Sequence, residues 1–195
     1  MPRKQNPTAM VSNIKLELRD LSLSASPVLL HRLKALGVPW PTIAQMGHRH
    51  YFGGSARVID IDDGLYAPSS EGVPHLILPV FEGGELVDLV AFSSEQPLAW
   101  LLRLGSGWSL GLLDGLERHS WEQEVRLWAS PLDWLRADCA GLCILDWSAP
   151  EVFELSRLSN IRCQDKRLAG RLREALSRPY RLPGITFGEE LRDAA

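Results

Sequence analysis

The sequence predicts one mixed α/β domain built from three consecutive parts. Three observations support this prediction: proline-initiated helical segments near the start, two apolar runs around a Gly-Gly pair in the middle, and alternating strand and helix patterns in the last third. We therefore expect an N-terminal two-helix unit, a central antiparallel β-hairpin region and a C-terminal parallel βαβαβα half. A chain of 195 residues with 45% hydrophobic content can bury one sizeable core.

Changes in residue pattern set the boundaries of these parts. We assign residues 1–25 to a partly disordered N-terminal tail and residues 26–195 to a single domain. Within that domain we expect a helical lead-in at residues 26–55 and a β region at residues 56–96. A segment covering the sheet is expected at 97–124, a parallel α/β half at 125–180 and a tail at 181–195.

The helical lead-in carries start and stop signals. Ser26 before Pro27 favours a helix start, because the hydroxyl can accept from free amides and proline needs no amide partner. Gly37 is a natural stop. A second short helix is expected over residues 42–46, packed against the first.

The β region is predicted by two apolar runs, residues 75–81 and 85–92. Gly83 and Gly84 stand between them and supply the positive φ angles of a tight hairpin. Pro79 places its strand at an edge or a bulge, because proline cannot donate to a β ladder. The two runs therefore predict an antiparallel hairpin.

The last third alternates strand and helix patterns. The apolar run 142–145 is typical of a strand buried on both faces, as in a parallel sheet. Ser130 and Asp165 each precede a helical segment as caps. The pattern predicts strands at 125–129, 142–145 and 160–163 and helices at 132–138, near 151–155 and after 165.

Composition excludes some classes of protein. The first dozen residues lack the apolar run of a signal peptide, and we expect no membrane span. The three cysteines, Cys139, Cys143 and Cys163, are too few and too irregular for a disulfide framework, so we expect reduced thiols. These features indicate a cytoplasmic protein. A net charge of −3 argues against a strongly basic nucleic-acid coat protein.

Two aspartates are the candidate catalytic and metal-binding residues. In an open parallel sheet ligands collect beyond the carboxyl ends of the strands, where Asp133 and Asp146 are expected. Carboxylates that converge there could hold Mg²⁺, together with a third one such as Glu82 or Asp62. The alternative is structural: Asp133 would be a solvated acid in the first turn of its helix. Asp146 needs a partner in either case, because it ends a buried strand.

A cluster of cations marks the C-terminal region. Residues 162–181 carry seven cations and two acids, so the rest of the chain has a net charge of −8. A helix with this charge could follow a phosphate backbone, although a solvated amphipathic helix has much the same sequence. The candidate nucleic-acid-binding residues are Lys166, Arg167, Arg171, Arg173 and Arg178.

Two blocks of sequence resemble the lead-in of phage and plasmid primases of the Toprim type. The first is Leu33-Lys-Ala-Leu-Gly-Val-Pro39, and the second is Leu76-Ile-Leu-Pro-Val-Phe-Glu-Gly-Gly-Glu-Leu-Val87. They occur in the order of that family, and the resemblance extends over about residues 28–148. It implies a Toprim/Rossmann-like C-terminal half.

The resemblance also implies an acidic site that is incomplete here. Toprim cores have a strand ending in Glu-Gly, an aspartate three residues later and a strand ending in Asp-x-Asp. Asp133 and Asp146 match two of those acids, whereas Ala129 stands at the glutamate and Ser148 at the second aspartate. Two carboxylates would hold Mg²⁺ poorly, so the resemblance implies a protein without catalysis.

Three functional hypotheses follow from the sequence. The first is a non-catalytic Toprim-like accessory protein of a phage or mobile-element locus, which binds nucleic acid or a replication- or defence-related protein. The second is a protein-interaction or inhibitor module that uses exposed members of the seven tryptophans. The third is a small Mg²⁺-dependent phosphoryl-transfer enzyme. We expect no cofactor except Mg²⁺ in that third case.

Overall fold

The computed structural model describes residues 7–23, 27–48, 53–111 and 124–177 of the chain. They form a mixed α/β structure, as predicted. In chain order its elements are α1 (Pro7–Leu23), α2 (Pro27–Ala35), α3 (Trp40–His48), β1 (Gly54–Asp62), β2 (Leu65–Pro68), β3 (Val73–Glu82), β4 (Glu85–Phe92), β5 (Trp100–Leu102), β6 (Ser109–Leu110), β7 (Val125–Leu127), α4 (Pro131–Arg136), β8 (Cys143–Ile144), a 3-10 helix (Pro150–Arg157), β9 (Ile161–Cys163) and α5 (Lys166–Ser177).

The predicted two-helix unit is present as α2 and α3. Helix α2 begins at Pro27, and Gly37 follows its end with φ of 85°. Leu29 and Leu33 of α2 and Ile43 of α3 are buried in the same core cluster. The glycine stop and the apolar face are therefore as predicted, whereas Ser26, the predicted cap, lies outside the described residues.

The central β region closes into a five-stranded barrel in the order β1-β2-β5-β4-β3, with β3 also paired to β1. All of its pairings are antiparallel except that of β2 with β5. The predicted hairpin joins β3 to β4, and both Gly83 and Gly84 have positive φ, 56° and 81°. The hairpin prediction is confirmed, whereas closure into a barrel was not anticipated.

Pro79 occupies a position where β3 has a ladder on one side only. The pairing of β3 with β1 runs from Val73 to Ile77, and Pro79 lies beyond it, opposite Leu89 of β4. The register also shifts between Val80 and the next residue. The expected edge or bulge is therefore present on both counts.

Strands β3 and β4 are buried on both faces. Ile77 and Leu89 belong to a cluster inside the barrel, whereas Leu78 and Val90 belong to a second cluster outside it. The outer cluster also contains residues of α2, α3, α4 and β8. The barrel wall thus lies between two cores, which explains why both strands are nearly continuous apolar runs.

Residues 7–23 form helix α1, although the sequence predicts an N-terminal tail over residues 1–25. Its buried residues Ile14, Leu18 and Leu21 repeat with helical spacing and pack into the core inside the barrel. Leu21 lies so close to β1 that a Cβ on Gly54 would meet its carbonyl oxygen at 2.9 Å. Residues 7–23 are therefore a packed helix rather than part of a tail, because their apolar residues repeat with helical spacing.

An ion pair fixes α1 to the barrel. Arg103 Nε donates to Glu17 Oε2 at 2.9 Å, and the Arg103 guanidinium lies 5.8 Å from the ring centre of the fully buried Tyr66. The Tyr66 hydroxyl donates to the other Glu17 oxygen at 3.4 Å. Burial, with the negative charge of Glu17, raises the pKa of Tyr66 above its ordinary value. The phenol therefore remains a hydrogen-bond donor.

The C-terminal part differs from the expected parallel βαβαβα half. Strands β7 and β9 are paired in parallel, but β8 joins β7 through a single parallel bridge between Leu127 and Leu142. The ladder partner of β8 is β6, which is antiparallel. Residues 142–145 are all buried, as predicted, yet strands of two or three residues make short pairs and a continuous Toprim-type parallel sheet is not shown.

The remaining boundaries need smaller corrections. Strand β1 begins at Gly54, two residues before the expected β region. The covering segment 97–124 contains strands β5 and β6 in its described part. Residues 112–123, like the C-terminal tail 181–195, lie outside the described residues. The 3-10 helix occupies the place of the helix expected near 151–155.

A third core lies on the distal side of the C-terminal strands. Leu127 and Ile144 are buried there with Leu155 of the 3-10 helix and with Leu168 and Leu172 of α5. Cys143 and Leu145, the alternate residues around β8, instead face the second core. The described chain is therefore arranged around three successive cores. Its layers are α1, the barrel, a helical layer formed by α2, α3 and α4, the short strands β6 to β9, and α5.

The carboxylate of Asp88 is fully buried and accepts five backbone hydrogen bonds of 2.7–3.0 Å. The donors are the amides of Leu89, Arg103, Leu104, Ser106 and Gly107. Four of these amides lie in the connection from β5 to β6, which has no ladder of its own. Asp88 thereby attaches this connection to the barrel wall.

We predict that Asp88→Asn lowers the free energy of unfolding by about 3–5 kcal/mol, because one acceptor oxygen becomes an amide donor facing backbone donors. Urea denaturation of the whole chain measures the change. Asp60→Asn, at an exposed position of β1, is the matched control and should shift stability by less than about 0.5 kcal/mol. Equal effects of the two changes would contradict the assigned role of Asp88.

Candidate functional site

Asp133 is engaged by its own helix. The Ser130 hydroxyl donates to Asp133 Oδ2 at 2.7 Å, and Arg136 Nη1 donates to Oδ1 at 3.1 Å. The Asp133 amide in turn donates to Ser130 Oγ, which caps α4 as predicted. Arg136 also donates through Nε to the Leu36 carbonyl, so the same side chain joins α4 to the two-helix unit.

Asp146 is engaged by a local turn at the end of β8. Its Oδ1 accepts from both the amide and the hydroxyl of Ser148, at 2.8 and 2.7 Å. The partner that the sequence required for this carboxylate is therefore two residues away in the chain. The Ser148 hydroxyl and amide thus satisfy this oxygen of Asp146 locally.

The structure does not assemble the other candidate carboxylates into a metal site. Asp62 is the last residue of β1, and its Oδ1 accepts from the Asp63 amide. Glu82 lies at the end of β3. Within residues 7–23, 27–48, 53–111 and 124–177, no group of three or more His, Cys, Asp or Glu side chains is arranged to hold a metal ion.

Glu82 nevertheless has a perturbed environment. Its Oε1 accepts from the Trp108 amide at 3.3 Å. Partial burial raises the pKa of the Glu82 carboxyl above its ordinary value of 4.5; the Trp108 hydrogen bond opposes this, and the charges of Glu151 and Asp88 add to it. Glu82 therefore joins the end of β3 to Trp108 of the third core through a carboxyl whose pKa is raised.

Helix α5 is the basic amphipathic helix that the sequence predicts. Asp165 caps it by accepting from the Leu168 amide at 2.8 Å, and Leu168 and Leu172 face the third core. The cations among the described candidates all lie on its exposed side. They are Lys166, Arg167, Arg171 and Arg173, and we call this surface the α5 basic face.

Arg171 differs from its neighbours in one contact. Its guanidinium lies 4.4 Å from the ring centre of Trp147, which directly follows Asp146. The Trp147 ring is half-buried against the third core. Its Nε1 is buried and has no hydrogen-bond partner in the part of the chain that the structure describes. Arg178, the remaining candidate cation, lies outside the described residues.

The tryptophans are mostly structural. The indole N–H groups of Trp100, Trp128 and Trp134 donate to the carbonyls of Leu145, Ala140 and Gly141, which surround β8. Trp108 is buried in the third core. Trp40 is the only tryptophan among the described residues that is exposed.

The cysteines are free thiols, as expected. Cys143 is fully buried in β8, and burial raises the pKa of its thiol. Burial also raises the pKa of Cys163, although nearby Arg173 opposes the change. Cys139 is half-buried. Raised pKa values disfavour the thiolate, so Cys143 and Cys163 are poor nucleophiles.

Sequence reasoning missed Asp88, although a signal was available. This acid interrupts the apolar run of residues 86–92, and a charge inside a strand that is otherwise continuously apolar has to be paired. Nothing local indicated its partners, which lie 15 to 19 residues further along the chain.

Comparison with family models, curated proteins and solved structures finds no match to this chain. No helix in the described ranges combines the length and the apolar character that crossing a membrane requires.

We predict that Glu82→Gln stabilises the protein at neutral pH, because ionised Glu82 is disfavoured in the folded state and a glutamine can still accept from Trp108. The native carboxyl binds its proton more tightly than the unfolded one, so its contribution to stability falls as pH rises from about 4.5 through the raised pKa. The gain should be present above that pKa and disappear at lower pH.

Urea denaturation over a pH series measures this gain. Glu85→Gln, at the exposed start of β4, is the control and should show a much smaller dependence on pH. A stability difference for Glu82→Gln that does not change with pH would contradict the assignment.

Proposed function

We propose that this chain is a non-catalytic accessory protein that binds nucleic acid through the α5 basic face. The observation that carries the proposal is the exposure of Lys166, Arg167, Arg171 and Arg173 along one capped helix whose apolar side is fixed to the third core. The cations span eight residues of helix, about 10 Å. Duplex DNA presents a charge every 1.7 Å or so of its axis, so several phosphates come within reach of this surface.

The charge distribution of the chain supports a local interface. The segment from Arg162 to Arg181 has a net charge of +5 and the remainder −8. Among the described residues, Lys166, Arg167 and Arg173 form no ion pair that would neutralise them. An acidic body with one basic helix orients a polyanion toward that helix.

The Toprim-like origin in a phage or mobile-element locus is part of the same proposal. The two sequence blocks support it, together with the position of Asp133 in the first turn of α4. The engaged carboxylates support a binding role. Both Asp133 oxygens and one Asp146 oxygen already accept hydrogen bonds, and Ala129 and Ser148 supply no further acid. A replication- or defence-related protein with an acidic surface is the other partner that this helix could accept.

The interaction-module hypothesis has one supporting observation. Trp40 is 45% exposed, with Lys34 Nζ 5.0 Å from its ring centre and His31 edge-on at 6.5 Å. Binding hot spots usually contain clustered aromatic anchors. A single exposed tryptophan among the described residues favours this hypothesis less than four exposed cations favour nucleic acid.

We predict that the intact chain binds short labelled duplex and single-stranded oligonucleotides at low salt, and that a triple variant, K166Q, R167Q and R173Q, weakens this binding. Fluorescence anisotropy over a salt series measures it. The slope of log K against log salt on duplex should fall by about 2.7, since each lost phosphate contact removes about 0.9.

The matched control removes three exposed cations elsewhere, K15Q, R19Q and R57Q, with the same change in net charge. Its slope should stay close to that of the native chain. Absence of binding at low salt would refute the proposed function, and equal losses in the two triple variants would move the interface away from α5.

The enzyme hypothesis gives an opposite expectation for metal. We predict that millimolar Mg²⁺ or Mn²⁺ raises the thermal midpoint no more than NaCl of equal ionic strength, because Asp133 and Asp146 are occupied by Ser130, Arg136 and Ser148. A metal-specific rise that is lost in the variant D133N, D146N would support the enzyme and contradict our proposal.

A further inference from the structure

We infer that Arg171 is the residue of the α5 basic face that anchors a nucleic-acid phosphate, because Trp147 holds its guanidinium in place. This inference rests on the proposed function and assigns it a positioning pair, Arg171 and Trp147. The ligand class is a phosphodiester oxygen pair, which matches the planar fork of an arginine.

Trp147 lies in a part of the chain that packing and hydrogen bonds hold in place. Its ring follows β8 and packs on the third core, and the carboxylate of Asp146 and Ser148 form a hydrogen-bonded turn around it. Both neighbours in the chain are thus fixed, and the ring is half-buried. Trp147 is therefore a rigid support on which an exposed side chain can rest.

Arg171 is the exposed side chain that rests on the Trp147 ring. Its guanidinium lies 4.4 Å from the Trp147 ring centre, within the range of a cation–π contact. Arg171 as a whole remains exposed. A stacked guanidinium is held against the plane of the ring, so its position is set before a ligand arrives. Binding then costs less side-chain entropy than it would for an unsupported cation.

Aromatic support distinguishes Arg171 from the other cations of the α5 basic face. Within the described residues, no aromatic ring supports Lys166, Arg167 or Arg173. These three supply charge that depends only on proximity, whereas Arg171 supplies charge and orientation. An arginine-to-lysine change separates the two contributions, since lysine keeps the charge but loses the planar fork and its stacking.

The test compares Arg171→Lys with Arg167→Lys, its matched control on the same exposed face. Oligonucleotide affinity is measured by anisotropy over a salt series, and the thermal midpoint is recorded for each variant. We expect R171K to bind about fivefold more weakly than the native chain and R167K to stay within about twofold. The salt slope of R171K should match that of the native chain, because the number of charges is unchanged.

A double-mutant cycle tests the dependence on Trp147. Trp147→Leu removes the ring, whereas Trp147→Phe keeps an aromatic face as its control. We expect W147L to weaken binding as R171K does, the double variant to lose little more than either, and W147F to remain close to native. If W147L lowers the thermal midpoint substantially, the comparison of R171K with R167K decides alone.

The outcomes distinguish the two proposals. If the native chain fails to bind at low salt, the proposed function and this inference both fail. If the native chain binds while R171K and R167K are equally weak or equally strong, binding through α5 stands and the anchoring role of Arg171 is overturned. Full additivity of R171K and W147L in a folded double variant would overturn it as well.

Discussion

The buried carboxylate of Asp88 links the two parts of the fold. It lies in β4, inside the barrel wall, and its two oxygens hold backbone amides from Arg103 to Gly107. This connection enters β6, the antiparallel partner of β8, so the geometry set at Asp88 extends to the C-terminal strands. Gly107 also has to approach the wall closely, because a Cβ there would meet Val80 at 2.7 Å and Asp88 at 2.9 Å. A larger residue would separate the connection from the carboxylate.

The double burial of β3 and β4 follows from the same arrangement. One face of β3 and β4 packs in the same core as α1, and the other face is covered by the helical layer and β8. Such strands contribute apolar area to two cores at once, so stability is concentrated in them. A polar side chain buried within these strands needs hydrogen-bond partners for its polar atoms, as the Asp88 carboxylate has in five backbone amides. Helix α5, by contrast, buries Leu168 and Leu172 and packs the half-buried Ala175 and Leu176 against the same core, and its cations face solvent.

Local signals predicted the elements that depend on neighbouring residues. The Gly83-Gly84 hairpin, the Ser130 cap of α4 and the Asp165 cap of α5 are examples, because each requires only a few adjacent residues. Closure of the barrel could not be predicted in this way. It requires β2 to pair with β5 across more than thirty residues, and Leu65 opposite Leu102 carries no sequence mark of that pairing. Asp133 does lie in the first turn of α4 and Asp146 just after β8, as the sequence predicts, but the hydrogen-bond partners of both are visible only in side-chain geometry.

Those partners are the reason why we propose binding rather than catalysis at the end of β8. A metal-dependent carboxylate needs oxygens directed at the ion, whereas the Asp146 oxygen that Ser148 holds is committed to shaping a turn. The turn orients Trp147, and Trp147 supports Arg171 of α5. An acid at the position expected for phosphoryl transfer thus acts, through a stacked ring, on a cation suited to holding a phosphate. In the proposed function, this carboxylate would support the binding surface through the turn, and the positive charge that contacts the ligand would come from the helix.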